Sequence, residues 1–524
     1  MAAVDYVIVG AGSAGCALAH RLSQEAACLV LLVEAGRRDA SPLIALPRGY
    51  GKILTGTRLL WRYPVAHPAG QDGPEVWLRG RVLGGSSAVN GMLYTRGSPA
   101  GYDGLDLDGW GWREIGPVFR AMEDHELGPG PCRGTGGPLK ITVHPARQAL
   151  CEAVIAAAES LGVPRTEDLN EAAGECVGYH PRTIWRGRRQ SAATAFLHPV
   201  RWRPNLRILT RTEVLRVVFE GRRAVGVETR RAAGQQLLTA RREVVLCAGA
   251  LHSPKLLMLS GIGPAEQLAA HGIPVVAEAP QVGSNLVEQR ALMPAYRVSH
   301  GSDAGELRGM RLLRNALRYA LWRSGPLTYG VFEVSALVKT RPDLPRPDAQ
   351  ISFRPFAVVR QGTRLVADGE PGCVLCCYIL DPRSRGRLAL QSPDPGVPPR
   401  IEPNYLSDEG DRRASVEVFR LTRRLFCQPA VQAFAPREVS PGPAVQTDDE
   451  VIACYVEHGA PAVHTCGTCR MGNDPLSVVD LRLRVRGVEG LRVADLSVLP
   501  RIVSGNTNAP AMALGWRAAE LILG

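Results

Sequence analysis

Gly10, Gly12 and Gly15 fall in the spacing G-x-G-x-x-G, and Glu34 follows the turn at about the twenty-residue distance of a ribose-binding acid. Residues of these types in this order can hold a dinucleotide. The first glycine permits a tight turn, the second lets backbone approach a pyrophosphate, and the third lets a helix pack on a strand. An acid at the position of Glu34 binds a ribose 2′-hydroxyl and disfavours a 2′-phosphate, which argues against NADP. The positioning elements are written around these residues. Residues 4–9 are short, apolar and β-branched, as in a buried parallel strand. Cys16, Leu18, Ala19 and Leu22 mark a helix whose N-terminal N–H groups would face the phosphates. A second apolar strand, 29–33, ends at Glu34. Strand, turn, helix, strand and acid together define a dinucleotide site, but this unit alone leaves FAD and NAD both open.

Other stretches carry chemistry or punctuation. Residues 37–79, with Pro42, Pro47, Gly49, Gly51, Gly56, Pro64 and Pro68, read as a long irregular excursion of the kind that covers cofactors. In the block 80–97, Gly84-Gly85-Ser86-Ser87 offers N–H and hydroxyl donors suited to phosphate and flavin-edge contact. Helices are expected at about 113–126 and 148–161, and strands at 206–209, 214–219, 224–229 and 244–247. The last strand enters a turn, a Pro254-started helix and a Gly-rich stop at 261–263. Residues 291–450 are richer in proline, with strands expected at 331–338, 351–356 and 373–380, and read as a largely β domain with helices over one side. The chain then returns through a strand at 491–495 to a C-terminal helix, 511–523, introduced by Asn508 and Pro510.

Composition narrows the class. A chain of 524 residues is too long for one ordinary core. Its 45% hydrophobic and 21% charged content is that of a globular protein. No apolar run reaches the roughly 18 residues of a membrane span, and a first strand at Val4 leaves no room for a cleaved leader, so a cytoplasmic enzyme is expected. The net charge of +12 comes from scattered arginines such as the pairs at 222–223, 230–231 and 241–242. These read as a solvated face, and nucleic-acid binding is not expected. The 13 cysteines are odd in number and lack the spacing of a small disulfide framework. Cys373, Cys376, Cys377, Cys466 and Cys469 are not read as a metal site.

Six separated stretches agree with one family. The opening fingerprint, the block 80–97, the block 249–263 and His464-Thr465-Cys466-Gly467-Thr468-Cys469-Arg470-Met471-Gly472 resemble the glucose–methanol–choline (GMC) oxidoreductases. The stretches 494–500 and 504–510 complete the pattern, which covers the whole chain and is most similar to the bacterial choline dehydrogenase, alcohol dehydrogenase and hydroxymethylfurfural oxidase branch. The resemblance implies an α/β fold with a Rossmann-like FAD-binding domain (1–145, 190–290 and 451–524). It also implies a second, α+β substrate domain on an antiparallel sheet (146–189 and 291–450). Its cofactor would be FAD. Gly10, Gly12, Ser13 and Ala14 would hold the pyrophosphate, with Glu34 and Ala35 at the adenosine ribose. Arg81, Gly85, Ser86, Asn90, Gly91 and Leu93 would line pyrophosphate and isoalloxazine. The backbone of Val214 would meet the adenine. Ala494, Asp495 and the segment 506–510, Asn508 included, would lie beside the ribityl chain and the flavin pyrimidine. The C-terminal helix would place its positive dipole end where reduced flavin gathers negative charge.

His464 resembles the family's catalytic histidine and Asn506 its partner. An alcohol gives up hydride only as its O–H proton departs, so a base must stand beside the hydroxyl. Imidazole suits that task, whereas an amide can only orient the same oxygen. The resemblance thus implies oxidation of a primary, aromatic or furanic alcohol to an aldehyde, with oxygen or a quinone-like compound as electron acceptor. The alternative on this fold is a hydroxynitrile lyase or another non-redox enzyme. Covalently flavinylated members carry His where Val89 stands, so noncovalent FAD is expected. The family's V-G-x-N-L-x-D-H appears as 282–289 ending in Glu288-Gln289, a pair to which the pattern assigns no role. Val463 stands where some relatives have an aromatic, which implies a more open pocket. No acid for a trimethylammonium group can be located, which disfavours choline.

Overall fold

The structure is a computed structural model that describes residues 3–66, 75–143, 146–171, 173–361 and 364–524. Val4–Val9 is a strand with every residue buried, as its apolar run predicts. It lies in parallel register between Val30–Val33 and the end of Gly234–Leu246. Leu206–Leu209 and Leu491–Val493 extend the parallel layer on either side. The strand expected at 244–247 is the last part of this 13-residue strand. Its first half pairs antiparallel with Arg223–Arg231, which in turn pairs with Glu213–Glu220. One strand thus belongs to a hairpin and to the dinucleotide sheet.

The helix Ser13–Leu22 packs on this sheet because Gly15 has no side chain. A Cβ there would stand 2.0 Å from the Gly10 carbonyl oxygen. Gly10 itself has φ +100°, a conformation that L side chains rarely adopt. The C-terminal helix begins three residues before the expected start, at Asn508, and runs to Leu523. It lies against Ser13–Leu22 so closely that a Cβ on Gly515 would meet the Ala14 carbonyl oxygen at 2.1 Å.

The second sheet has six strands in the order Arg437–Ser440, Ala295–Arg297, Gly372–Ile379, Ala349–Arg354, Val334–Val338 and Cys176–Tyr179. All its pairs are antiparallel. Alternation sorts the central strand Gly372–Ile379. Cys373, Leu375 and Cys377 enter a core shared with the helices Ala149–Ser160 and Glu409–Phe426, while Cys376 and Tyr378 face the other way. Cys466 and Cys469 lie in the core of the first sheet instead. That core also takes Leu388, Leu390 and Ile401, whereas Val451, Cys454 and Tyr455 of the helix Asp448–His458 join the second.

Two expectations are corrected. The helix read to residue 126 ends at Met122, and Glu123–His125 is a strand paired with Leu139–Ile141. The buried Glu123 carboxylate needs the Arg96 guanidinium, which it receives through bonds of 2.6 and 2.7 Å. An ion pair of that kind overrides helical periodicity. The excursion 37–79 is also more ordered than its prolines suggest. It holds the short helices Pro42–Ala45 and Tyr50–Leu54 and a hairpin of Leu60–Val65 with Glu75–Gly80. Pro64 is tolerated because this two-stranded ribbon is all edge. Pro68 lies outside the described residues. No helix among the described residues is long and apolar enough to cross a membrane.

Candidate active site

The fold brings the predicted cofactor residues from both ends of the chain to one place. The Gly84 N–H donates to the Ala11 carbonyl at 2.8 Å, and the Gly85 backbone nearly touches that of Gly12. Ser13 Oγ donates to Asn508 Oδ1 at 2.7 Å, which joins the starts of the first and last helices. Neither helix has a side-chain cap or an acid in its first turn. Two uncapped N-termini side by side, with nothing within 4 Å of a Cβ built on Gly12, suit a bound diphosphate. The Asn508 Nδ2 atom is buried and unpartnered among the described residues, a donor waiting for an acceptor that the protein does not supply. These residues fit FAD.

At the adenosine end, Glu34 accepts from Ala11 N at 3.0 Å and Gly36 N at 2.7 Å, with Ala35 between them in sequence. Burial raises the Glu34 carboxyl to about 7, and the two N–H groups oppose that rise. Arg81 belongs to this end: it pairs with Glu213 at 3.4 Å, next to Val214, and stacks 4.0 Å from the Trp61 ring centroid. The remaining members of the block are held by protein contacts. Ser86 Oγ accepts from Gly80 N. Asn90 Oδ1 accepts from Met92 N and from Arg189, Gly91 packs beside Val331, and Leu93 bridges to Arg182. Val89 lies in an apolar cluster with Ile44, Ile53 and Val82 and has no group that could bond a flavin.

Asp495 works through the protein. Its Oδ2 accepts from Gly249 N and Ser253 Oγ, and its Oδ1 accepts from Ser497 N, so it fixes the 249–263 block. Ala494 is fully buried and spends its N–H on Leu246 and its carbonyl on the Cys247 thiol. It packs in the core of the first sheet.

The structure brings His464 and Asn506 together, with Asn506 Nδ2 3.0 Å from His464 Nε2. The geometry also fixes the tautomer. The Leu380 carbonyl can only accept, so the atom 2.7 Å away must be the Gln289 amide nitrogen. Gln289 Oε1 then lies 2.6 Å from His464 Nδ1, which must carry the proton. His464 Nε2 is left unprotonated and accepts from the Asn506 amide. A consistent run of donors supports the same assignment from the other side. Gln350 donates to Ser352, Ser352 to Ser335, Ser335 to His180 Nδ1, His180 Nε2–H to Thr95, and Thr95 to Asn506 Oδ1.

Sequence reasoning missed Gln289, Glu288 and His180. Glu288 accepts from His464 N at 2.8 Å and Thr465 Oγ1 at 2.6 Å, and lies 3.6 Å from Arg79. The pair without a role therefore cradles the loop that carries His464. The signal was available, since both positions keep polar groups where the family pattern has polar groups. Burial first, and then the Arg79 charge, pushes His464 down to about 3, so the half-buried imidazole is neutral at physiological pH.

Gln289→Leu removes the acceptor that selects the Nδ1–H tautomer. We expect kcat to fall about 10–100-fold, the range for losing a histidine's orienting partner, with KM nearly unchanged. Gln289→Glu keeps the acceptor but adds a negative charge, and should move the acid limb of the pH profile upward. Identical profiles for both variants and the native enzyme would refute this positioning role.

Sequence profiles described as GMC oxidoreductase match residues 4–291 and 382–515. The alcohol dehydrogenase [acceptor] of Pseudomonas putida is 38% identical over 99% of this chain and 95% of its own length. The oxygen-dependent choline dehydrogenase of Brucella suis biovar 1 (strain 1330) is also 38% identical over 99% and 95%. Among solved structures, pyridoxine 4-oxidase from Mesorbium loti superposes with a TM-score of 0.87 at 33% identity, covering 99% of this chain and 98% of that one. Formate oxidase superposes at 0.91 with 26% identity and the same coverage. The chain belongs to the GMC oxidoreductases. It is an FAD-dependent oxidoreductase.

Proposed function

We propose that this enzyme oxidises a primary aromatic or furanic alcohol to the aldehyde. The observation that carries the reading is an unprotonated imidazole nitrogen and an amide N–H side by side at 3.0 Å, which a substrate hydroxyl can bridge. A hydroxyl group needs one acceptor for its proton and one donor for its oxygen, and His464 Nε2 and Asn506 Nδ2 supply one of each. When bound, FAD supplies the hydride acceptor. His464 takes the hydroxyl proton, Asn506 holds the oxygen, and Gln289 keeps Nδ1 protonated so that Nε2 stays available. The family membership and the alcohol-named relatives support the same chemistry.

An aromatic substrate is favoured by what surrounds the pair. The Tyr378 ring centroid is 5.9 Å from that of His464. Tyr378 belongs to an apolar cluster with Ala291, Cys376 and Leu380, against which Phe332 and Leu337 pack. Glu288 is already engaged by His464 N, Thr465 and Arg79. A planar apolar ring fits there better than a quaternary ammonium group. Oxygen or a quinone-like compound serves as the acceptor in this proposal.

The test is an anaerobic spectrum of the flavin during addition of benzyl alcohol, 5-hydroxymethylfurfural or choline, followed by air. Bleaching by the first two and not by choline is expected. Recovery within a turnover in air identifies oxygen as acceptor, and slow recovery identifies a quinone-like one. Cleavage of a hydroxynitrile without bleaching would overturn the proposal in favour of a lyase. The low basicity of His464 also predicts a pH dependence. The base is active only when unprotonated, so kcat/KM should stay level as pH falls through about 6.5, the ordinary imidazole value. An acid limb at that value would contradict the burial argument.

A further inference from the structure

The helix Gly309–Trp322 lies almost wholly outside the protein. Asn315 is its one buried residue, held by two bonds of 2.9 Å to Glu306. Met310, Leu313, Leu317 and Leu321 recur at i, i+3, i+7 and i+11 and are exposed by 78%, 53%, 57% and 67%. Trp322, at the end of the helix, is 69% exposed. An apolar stripe at helical spacing normally faces a core. Here it faces away from one.

The charges along the stripe say what covers it. Arg308, Arg311, Arg314, Arg318 and Arg323 lie on or beside this helix, and residues 308–323 contain no Asp or Glu. By helical spacing, Arg311, Arg314 and Arg318 run along one flank of the stripe. The nearest acid, Glu306, precedes the helix and faces Arg311 at 3.6 Å and Arg314 at 3.1 Å. A second copy of the chain would bring the arginines of two such helices into one seam without carboxylates to meet them, so self-pairing is opposed. A large apolar stripe with a terminal tryptophan and a basic flank matches a helix lying in the plane of an anionic bilayer.

We propose that Gly309–Trp322 docks this enzyme on an anionic lipid surface, with Met310, Leu313, Leu317, Leu321 and Trp322 in the acyl boundary and the arginines at the headgroups. The helix touches the excursion 37–79, the segment read as a cofactor cover. Tyr319 reaches the Ala45 carbonyl at 3.4 Å. Nine residues past the helix, Val331 lies against Gly91 in the predicted flavin-facing block. Docking would thus place the enzyme's catalytic side near the lipid phase, where apolar alcohols and quinone-like acceptors partition. The docking itself does not depend on the identity of the substrate.

The test is sedimentation of the FAD-loaded enzyme with vesicles of phosphatidylcholine alone or with about a third phosphatidylglycerol, a composition chosen to supply a negative surface potential. Binding to the anionic vesicles, little binding to the neutral ones, and weakening by salt are expected. Leu317→Glu with Leu321→Glu should reduce binding by about tenfold or more, as charges entering an apolar interface are costly. Arg314→Gln with Arg318→Gln should remove the preference for anionic lipid. Both double variants change exposed positions, so the flavin spectrum and turnover with a soluble dye acceptor should match the native enzyme. No binding to anionic vesicles at low salt overturns the proposal. Binding indifferent to the leucine pair also overturns it. A concentration-dependent dimer that the leucine pair dissolves, without vesicle binding, would assign the face to a second copy instead.

Discussion

Replacement of His464 by alanine is expected to leave the flavin spectrum intact while kcat for the alcohol falls about 10²–10⁴-fold, the range for loss of a general base. The hydrogen bonds of His464 run to Gln289, Glu288 and Asn506, and its ring lies against Tyr378, so cofactor loading should survive. The defect should sit in kcat, because the hydroxyl still meets Asn506 while its proton has no acceptor. Anaerobic bleaching isolates the step: the variant should bleach slowly with a saturating alcohol. Added imidazole should restore part of the rate, and only where imidazole is unprotonated. Asn506→Ala should lose less, since it removes orientation and leaves the base. A His464→Ala enzyme that bleaches within a few-fold of the native rate would place the proton acceptor elsewhere.

The residues of that site were unequally readable from sequence. Gly10, Gly12, Gly15 and Glu34 announce themselves because their chemistry is local: strand, turn, helix and acid lie within thirty-four consecutive residues. The bond between Gln289 and His464 spans 175 residues, and no periodicity encodes such a pairing. Only the end of the strand Gly372–Ile379, which leaves Leu380 beside residue 289, gives Gln289 its direction. The family pattern located the segment but marked its last two residues as a departure. In the structure that departure keeps the function of an acceptor with a different side chain. The hairpin of Leu60–Val65 with Glu75–Gly80 was hidden for a related reason. Prolines and glycines read as breakers when a segment is taken alone, yet Leu60, Tyr63 and Val65 are buried there at alternate or near-alternate positions.

The helix that was read past Met122 leads to the second large effect, in Glu123→Ala. Arg96 and Glu123 both have fully buried side chains and form a two-pronged pair at 2.6 and 2.7 Å. Tyr94 and the Gly134 N–H also donate to the same carboxylate. Alanine leaves the Arg96 guanidinium, the Tyr94 hydroxyl and the Gly134 amide without their acceptor. Breaking a buried pair from one side costs about 3–5 kcal/mol, because the remaining charge stays desolvated. We expect a loss of that size in denaturant unfolding of the FAD-loaded enzyme. The damage should also reach the chemistry. Thr95 lies between Tyr94 and Arg96 and donates to Asn506 Oδ1 at 3.1 Å, so a loosened 94–96 segment releases the group that orients the Asn506 amide. Glu123→Gln keeps an acceptor of the same shape and should recover part of both losses. Removing both ends, with Arg96→Met and Glu123→Leu, should be milder than Glu123→Ala alone, because no buried charge is left behind. If the single and double variants were equally unstable, the cost would come from lost packing, and the ion pair would not be what turns the chain from helix to strand at Glu123.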